Sequence, residues 1–166
     1  MSVEAFAIAS VRVAGGGTIG LCRLPGRFGS LGADLDHVAE WQPTVVISLT
    51  ETAESAALGA GRLPAMLGAR GTMWEQFPIE DFGVPTAAVN TQWPPLSKRL
   101  HALLDQGQKV LLHCRGGLGR SGMVAVRLLV ERGGAFDAAL LRVRAARPGA
   151  VETDAQMDWA RGRRPA

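Results

Sequence analysis

A thiol and a guanidinium stand six residues apart in "HCRGGLGRSG", His113 to Gly122: Cys114 and Arg120. Glycine at 116, 117 and 119 lets consecutive backbone N–H groups curl inward with no Cβ in the way. Closed by the start of a following helix, such a concavity is an anion site. Arg120, at that helix start, adds a planar fork suited to two phosphate oxygens. Cys114 lies at the base, where the same N–H groups and helix dipole stabilise a thiolate, and thiols so placed fall to pKa values of about 3.5–7.5. The chemistry this constellation can do is attack of sulfur on phosphorus, giving a cysteinyl-phosphate. The anion is read as gripped by Arg115, Gly116, Gly117, Leu118, Gly119 and Arg120.

The loop lies between the apolar run "KVLL" and the apolar helix from about Arg120 to Arg132. Around it the pattern alternates between strand and helix. Residues 4–24 read as a hairpin broken by "AGGG", and "PTVVISLT" and "TMWEQFPI" read as strands. "LGADLDHVAEW", "GRLPAMLGARG" with Pro64 in its first turn, and the stretch of Leu96, Leu100, Leu103 and Leu104 read as helices. So do "FDAALLRVRAARPG" and a last helix capped by Thr153. This order predicts an α/β fold with a central, mostly parallel sheet flanked by helices. In such sheets ligands bind beyond the carboxyl ends of the strands, where this loop falls.

The chain has 166 residues, 47% hydrophobic and 20% charged, and fits one domain over 1–166. The basic tail of about 160–166 reads as a solvated, disorder-prone end, with a run of charge too short for a nucleic-acid arm. No apolar run approaches the ~20 residues of a bilayer span. "MSVEAFAIAS" has no basic flank and does not read as a signal peptide. Two cysteines far apart make no disulfide framework and fit the reducing cytoplasm. The net charge of +3 favours anionic substrates. Cys22, in a predicted strand, reads as a small core hydrophobe. The four tryptophans read as core or core-edge, and His37 and His101 as helix residues that face solvent or pack.

The spacing His-Cys-x5-Arg-Ser resembles the signature of the cysteine-dependent protein tyrosine and dual-specificity phosphatases. "GLCRLPGRF" and "TVVISLTE" are similar to early segments of the branch of cyclin-dependent kinase inhibitor 3 type (kinase-associated) phosphatases. "FPIEDFGVP" is similar to that family's general-acid loop, and "RPGAVETDAQ" to its late loop bearing a glutamine. The likeness runs from about residue 19 to 157. It implies a protein tyrosine phosphatase-like fold, with Cys114 as nucleophile and Arg120 as phosphate clamp. It further implies Asp81 as general acid and then base, and Ser121 as hydrogen-bond donor to the Cys114 sulfur. His113 would hold the loop, Gln156 would position the hydrolytic water, and Arg147 would tie down the late loop. Glu152 stands where some relatives carry a second glutamine. The implied substrate is a phosphorylated protein or peptide, bearing phosphotyrosine and also phosphoserine or phosphothreonine. No cofactor, metal, membrane or nucleic acid is implied.

Other readings remain at this level. A nucleotide loop would need a Walker lysine or the G-x-G-x-x-G order, and neither is present. A sulfur-transfer loop of the rhodanese type also sets Cys between strand and helix, but the Arg-Ser ending favours phosphate. A non-catalytic phosphate-binding module need not keep both a thiol and an acid. A phosphoinositide or an RNA 5′-phosphate could undergo the same chemistry. Arg115 is the only further cation inside the loop, where a polyanionic head group would be met by more. Glu80 rivals Asp81 for the acid; in an extended stretch the two point to opposite sides.

Overall fold

The computed structural model describes residues 4–162; the last four residues of the basic tail lie outside the described part. Five strands form one sheet: β1 Ala9–Arg12, β2 Thr18–Cys22, β3 Val45–Ser48, β4 Met73–Gln76 and β5 Lys109–His113. Their spatial order is β1-β2-β5-β3-β4. β1 and β2 pair antiparallel, as the hairpin reading expects, and every other pairing is parallel. The helices are α1 Leu31–Trp41, α2 Thr52–Ala57, α3 Leu63–Ala69, α4 Ala87–Asn90, α5 Trp93–Asp105, α6 Gly119–Glu131, α7 Phe136–Ala146 and α8 Asp154–Ala160. The sequence reading missed α2 and α4, which are six and four residues long. Neither buries a residue fully, so neither leaves an apolar stripe to find.

Strand alternation divides the core in two. Ile19, Leu21, Ile47, Val110 and Leu112 face one side, packed with Met123, Val124 and Leu128 of α6. Cys22, Val46 and Leu111 face the other, against Leu35 and Val38 of α1 and Leu63 and Leu67 of α3. Because β5 is central, both faces are covered and its run is apolar throughout, as parallel strands require. α6 is buried over most of its circumference because it packs on β2, β5, α7 and α8 together.

The register brings the site together. Cys22 of β2 and Ser48 of β3 both pair with His113 at the end of β5. Past β3 the ladder continues: Phe77 N–H donates to Ser48 O at 2.9 Å and Ile79 N–H to Leu49 O at 3.0 Å. That extension carries the chain from β4 directly to residues 80–83. Beneath it Phe77, Trp93 and Trp159 form an aromatic cluster, with Trp93 and Trp159 edge-on at 5.0 Å between centroids. Trp93 opens α5 and Trp159 lies in α8, so both are core, as their sequence setting suggested.

Phe77 is fully buried at the joint between sheet and acidic loop. Phe77→Ala is expected to lower unfolding free energy by about 3–5 kcal/mol, read by urea denaturation. A loss under ~1 kcal/mol would show that the cluster relaxes around the gap.

Candidate active site

Cys114 follows β5 and is 2% exposed. After it the chain turns through five residues into α6, and the carbonyls of residues 114–118 are all tied away from the turn. Cys114 O accepts from His113 Nδ1 at 3.3 Å. Arg115 O accepts from Leu24 N–H and from Arg27 Nη1, each at 3.2 Å. Gly116 O and Gly117 O accept from Arg147, at 2.9 and 3.3 Å. Leu118 O accepts from Gly122 N–H at 2.8 Å and Val151 N–H at 3.2 Å. With these carbonyls engaged elsewhere, the N–H groups of the turn are not paired with them, an arrangement an anion nest requires. Gly117 has φ of 73°, and a Cβ there would lie 2.6 Å from the carbonyl carbon of Cys22, so only glycine fits.

His113 supports the loop from below. A carbonyl only accepts, so Nδ1 carries the proton given to Cys114 O. Nε2 then accepts from Ser48 Oγ–H, and Ser48 Oγ in turn accepts from Trp74 Nε1–H at 2.8 Å. Burial pushes the imidazole down to about 4, so the ring is neutral in this chain of bonds. Cys22 is also buried, and burial together with the nearby Cys114 pushes its thiol up.

Arg120 is 1% exposed and extends its fork into the site. Nη1 donates to Glu54 Oε2 at 2.7 Å and to Ile79 O at 2.9 Å. Nη2 donates to Glu54 Oε1 at 2.8 Å and to Asp81 Oδ1 at 3.0 Å. Burial works against the guanidinium's charge, but the Glu54 hydrogen bonds and the charges of Cys114, Glu54 and Asp81 together outweigh it and hold Arg120 above its ordinary pKa. Burial likewise raises Glu54, and the Arg120 hydrogen bonds and charge more than reverse that. Glu54 lies on α2, the helix the sequence reading missed. "TAES" has no spacing or composition that marks one acid among several, so no local signal distinguishes it.

Of the two rival acids, Glu80 is exposed and Asp81 turns inward onto Arg120. A tight turn fixes the pair: Gly83 N–H donates to Glu80 O at 2.9 Å and Phe82 N–H to Asp81 Oδ1 at 3.1 Å. Phe82 takes φ of 61° and projects outward, 59% exposed. Gln156 is fully buried. Its Oε1 accepts from Glu152 N–H and Thr153 N–H, completing the capping box of α8, and its Nε2 donates to Gly83 O at 3.2 Å. It therefore joins the late loop to the acidic loop. Ser121 Oγ is buried at the first turn of α6 with no hydrogen-bond partner among the described residues. Beside the loop lies a mouth, a cavity of about 420 Å³ lined by Arg27, Asp81, Phe82, Arg115, Gly116, Leu118 and Glu152.

Residues 22–134 match the family described as "Polymorphic toxin system, DSP-PTPase phosphatase". The chain belongs to the dual-specificity phosphatase family. Among solved structures, this phosphatase is 34% identical to Tk-PTP in its active form, with 88% of this chain and 92% of that one covered and a TM-score of 0.67. Kinase-associated phosphatase, with its catalytic-site cysteine replaced by serine, shares the fold at TM-score 0.83 and 23% identity, covering 96% and 94%. PTPMT1 in complex with PI(5)P shares it at TM-score 0.68 and 18% identity, covering 93% of each chain. No curated protein sequence matches. The chain is a cysteine-based phosphatase of the protein tyrosine and dual-specificity type, a phosphoric monoester hydrolase. Among the described residues no helix is long and apolar enough to cross a membrane.

The neutral His113 has a consequence for stability. An unfolded histidine takes a proton near pH 6.5, which the folded ring refuses until about pH 4. Stability therefore falls as pH drops through that window, by roughly 3 kcal/mol, and this contribution levels off below it. His113→Asn keeps a donor for Cys114 O and removes the titration. Urea melts of both proteins at pH 7 and pH 4.5 are expected to show a smaller fall for the variant. Equal falls would show that His113 does not resist protonation in the fold.

Proposed function

We propose that this phosphatase hydrolyses phosphotyrosine in proteins or peptides through a cysteinyl-phosphate, with Cys114, Arg120 and Asp81 as the catalytic residues. In the first step the Cys114 sulfur forms a bond to phosphorus as the ester P–O bond breaks. Asp81 gives its proton to the departing phenol oxygen. In the second step water adds to phosphorus, Asp81 takes a proton from it, and the S–P bond breaks to return the thiolate and inorganic phosphate. The observation that carries this reading is the outward tethering of five successive loop carbonyls around Cys114, with Arg120 held beside them.

Each remaining residue takes part through its place. The N–H groups of residues 115–120 receive the phosphoryl oxygens, and Arg120 supplies the charge as they develop it. Asp81 and an incoming phosphate compete for Arg120 Nη2, so phosphate binding frees Asp81 to turn to the leaving oxygen. Ser121 donates to the sulfur as it departs; its buried hydroxyl at the first turn of α6, without another partner among the described residues, supports that role. Gln156, its amide oxygen committed to two backbone N–H groups, acts by holding the acidic loop in place, and one amide hydrogen remains for the hydrolytic water. The exposed ring of Phe82 at the mouth supports an aromatic substrate, since it offers a surface for the phosphotyrosine ring.

Turnover of a simple aryl phosphate separates an enzyme from a phosphate-binding module, and Cys114→Ser is expected to abolish it while phosphate still binds. Asp81→Asn is expected to lower kcat on a phosphotyrosine peptide by about 10²–10⁴-fold, and Glu80→Gln by no more than about twofold. The Asp81→Asn loss shrinks for an aryl phosphate with an acidic leaving group, which needs no proton. A greater loss for Glu80→Gln would assign the acid to the other carboxylate.

A further inference from the structure

The loop holds only one cation besides Arg120, but the fold brings a second one to it from far away in the chain. Arg27, in the turn after β2, donates through Nη1 to Arg115 O. A Cβ on Gly116 would lie 4.0 Å from that same nitrogen. Arg27 and Arg115 both line the mouth. Among the described residues neither forms an ion pair with a carboxylate. Arg23, nearby, is engaged with Asp34 at 4.0 Å and packs on Phe6 and Phe28. Arg27 itself is steadied by the Phe28 ring, 4.5 Å from its guanidinium carbon. Burial and the Arg115 charge together hold Arg27 below its ordinary pKa, with Asp81 acting the other way. An anion bound at the mouth offsets the effect of the Arg115 charge on Arg27.

We infer that Arg27 and Arg115 form a second anion site at the mouth, which takes an acidic side chain next to the phosphotyrosine of a peptide substrate. This rests on the phosphatase reading above and names the substrate that suits it. The charges of the mouth favour one added anion over several. Asp81 is bound to Arg120, and the exposed Glu152 carboxylate lies toward Gly119, where a Cβ would approach Oε1 within 2.3 Å. A head group bearing several phosphates would meet these carboxylates as well as the arginines. A peptide presents its acid on one side, and its phosphotyrosine ring has Phe82 beside it.

The test compares two phosphotyrosine peptides that differ only in the residues flanking the phosphotyrosine, Glu in one and Gln in the other. The parent is expected to favour the acidic peptide in kcat/KM by about tenfold at low salt, mostly through KM, with the preference shrinking as NaCl is added. Arg27→Gln is expected to bring that ratio to within about twofold of one, and Arg27→Lys to keep much of it. The ratio is taken within each enzyme, so general damage to the loop cancels. A parent ratio near one, or a ratio unchanged in Arg27→Gln, overturns the second site while turnover of both peptides leaves the phosphatase reading standing. Faster hydrolysis of a phosphoinositide in phosphatidylcholine vesicles than of the acidic peptide also overturns it, and gives the pair to a lipid head group. Failure on both peptides and on an aryl phosphate overturns the phosphatase reading itself.

Discussion

A guanidinium that is 1% exposed must be neutralised within the fold, and Arg120 is. Taking such a charge from water costs several kcal/mol unless paired groups receive it. Glu54 accepts from both terminal nitrogens, Ile79 supplies a carbonyl and Asp81 a further carboxylate oxygen. Those partners come from α2, from the extension beyond β4, and from the acidic loop. The positions of all three segments are thereby set by one side chain. The pairing also keeps the planar fork aimed, which suits it to bind two phosphoryl oxygens. Glu54 balances the charge from the more buried side, and Asp81 lies on the side that opens to the mouth.

The nest depends on a second set of constraints, which act on carbonyls instead of charge. Arg147, Leu24, Arg27 and His113 each hold a loop carbonyl outward. Arg147 follows α7, Leu24 and Arg27 follow β2, and His113 ends β5, so the turn is braced by three separate parts of the chain. The neutral His113 fits this role, since a charged ring would lack the acceptor that Ser48 needs. Gly117 passes so close to Cys22 that β2 and the loop form a single packed unit. Gln156 adds a link of the same kind between the acidic loop and α8.

What the sequence made legible was local. The loop, its glycines and the helix after it form one uninterrupted stretch, and the apolar periods of β5, α5 and α6 are strong because those elements are buried. Thr153 reads as a cap and caps α8. Asp81 could be preferred over Glu80 only through family resemblance, and the turn at Phe82 supplies the physical reason: it exposes one carboxylate and turns the other inward. Glu54 and Arg27 were not legible. Both are ordinary surface-type residues in short, weakly patterned segments, and their place at the site comes from long-range packing. Gln156 was assigned to the hydrolytic water through the family resemblance, and its capping bonds and its contact with Gly83 were not legible because they depend on the fold.

The central claim is that the fork of Arg120, and not its charge alone, holds the phosphoryl group. The most direct measurement is turnover of an aryl phosphate by Arg120→Lys, with inorganic phosphate affinity measured by calorimetry on the same protein. An ammonium keeps the charge but cannot offer two parallel donors to phosphate or answer Glu54 in kind. The account predicts that kcat falls by at least about 10²-fold and that phosphate binding weakens with it. Normal turnover by Arg120→Lys would contradict the account and reduce Arg120 to a counter-charge.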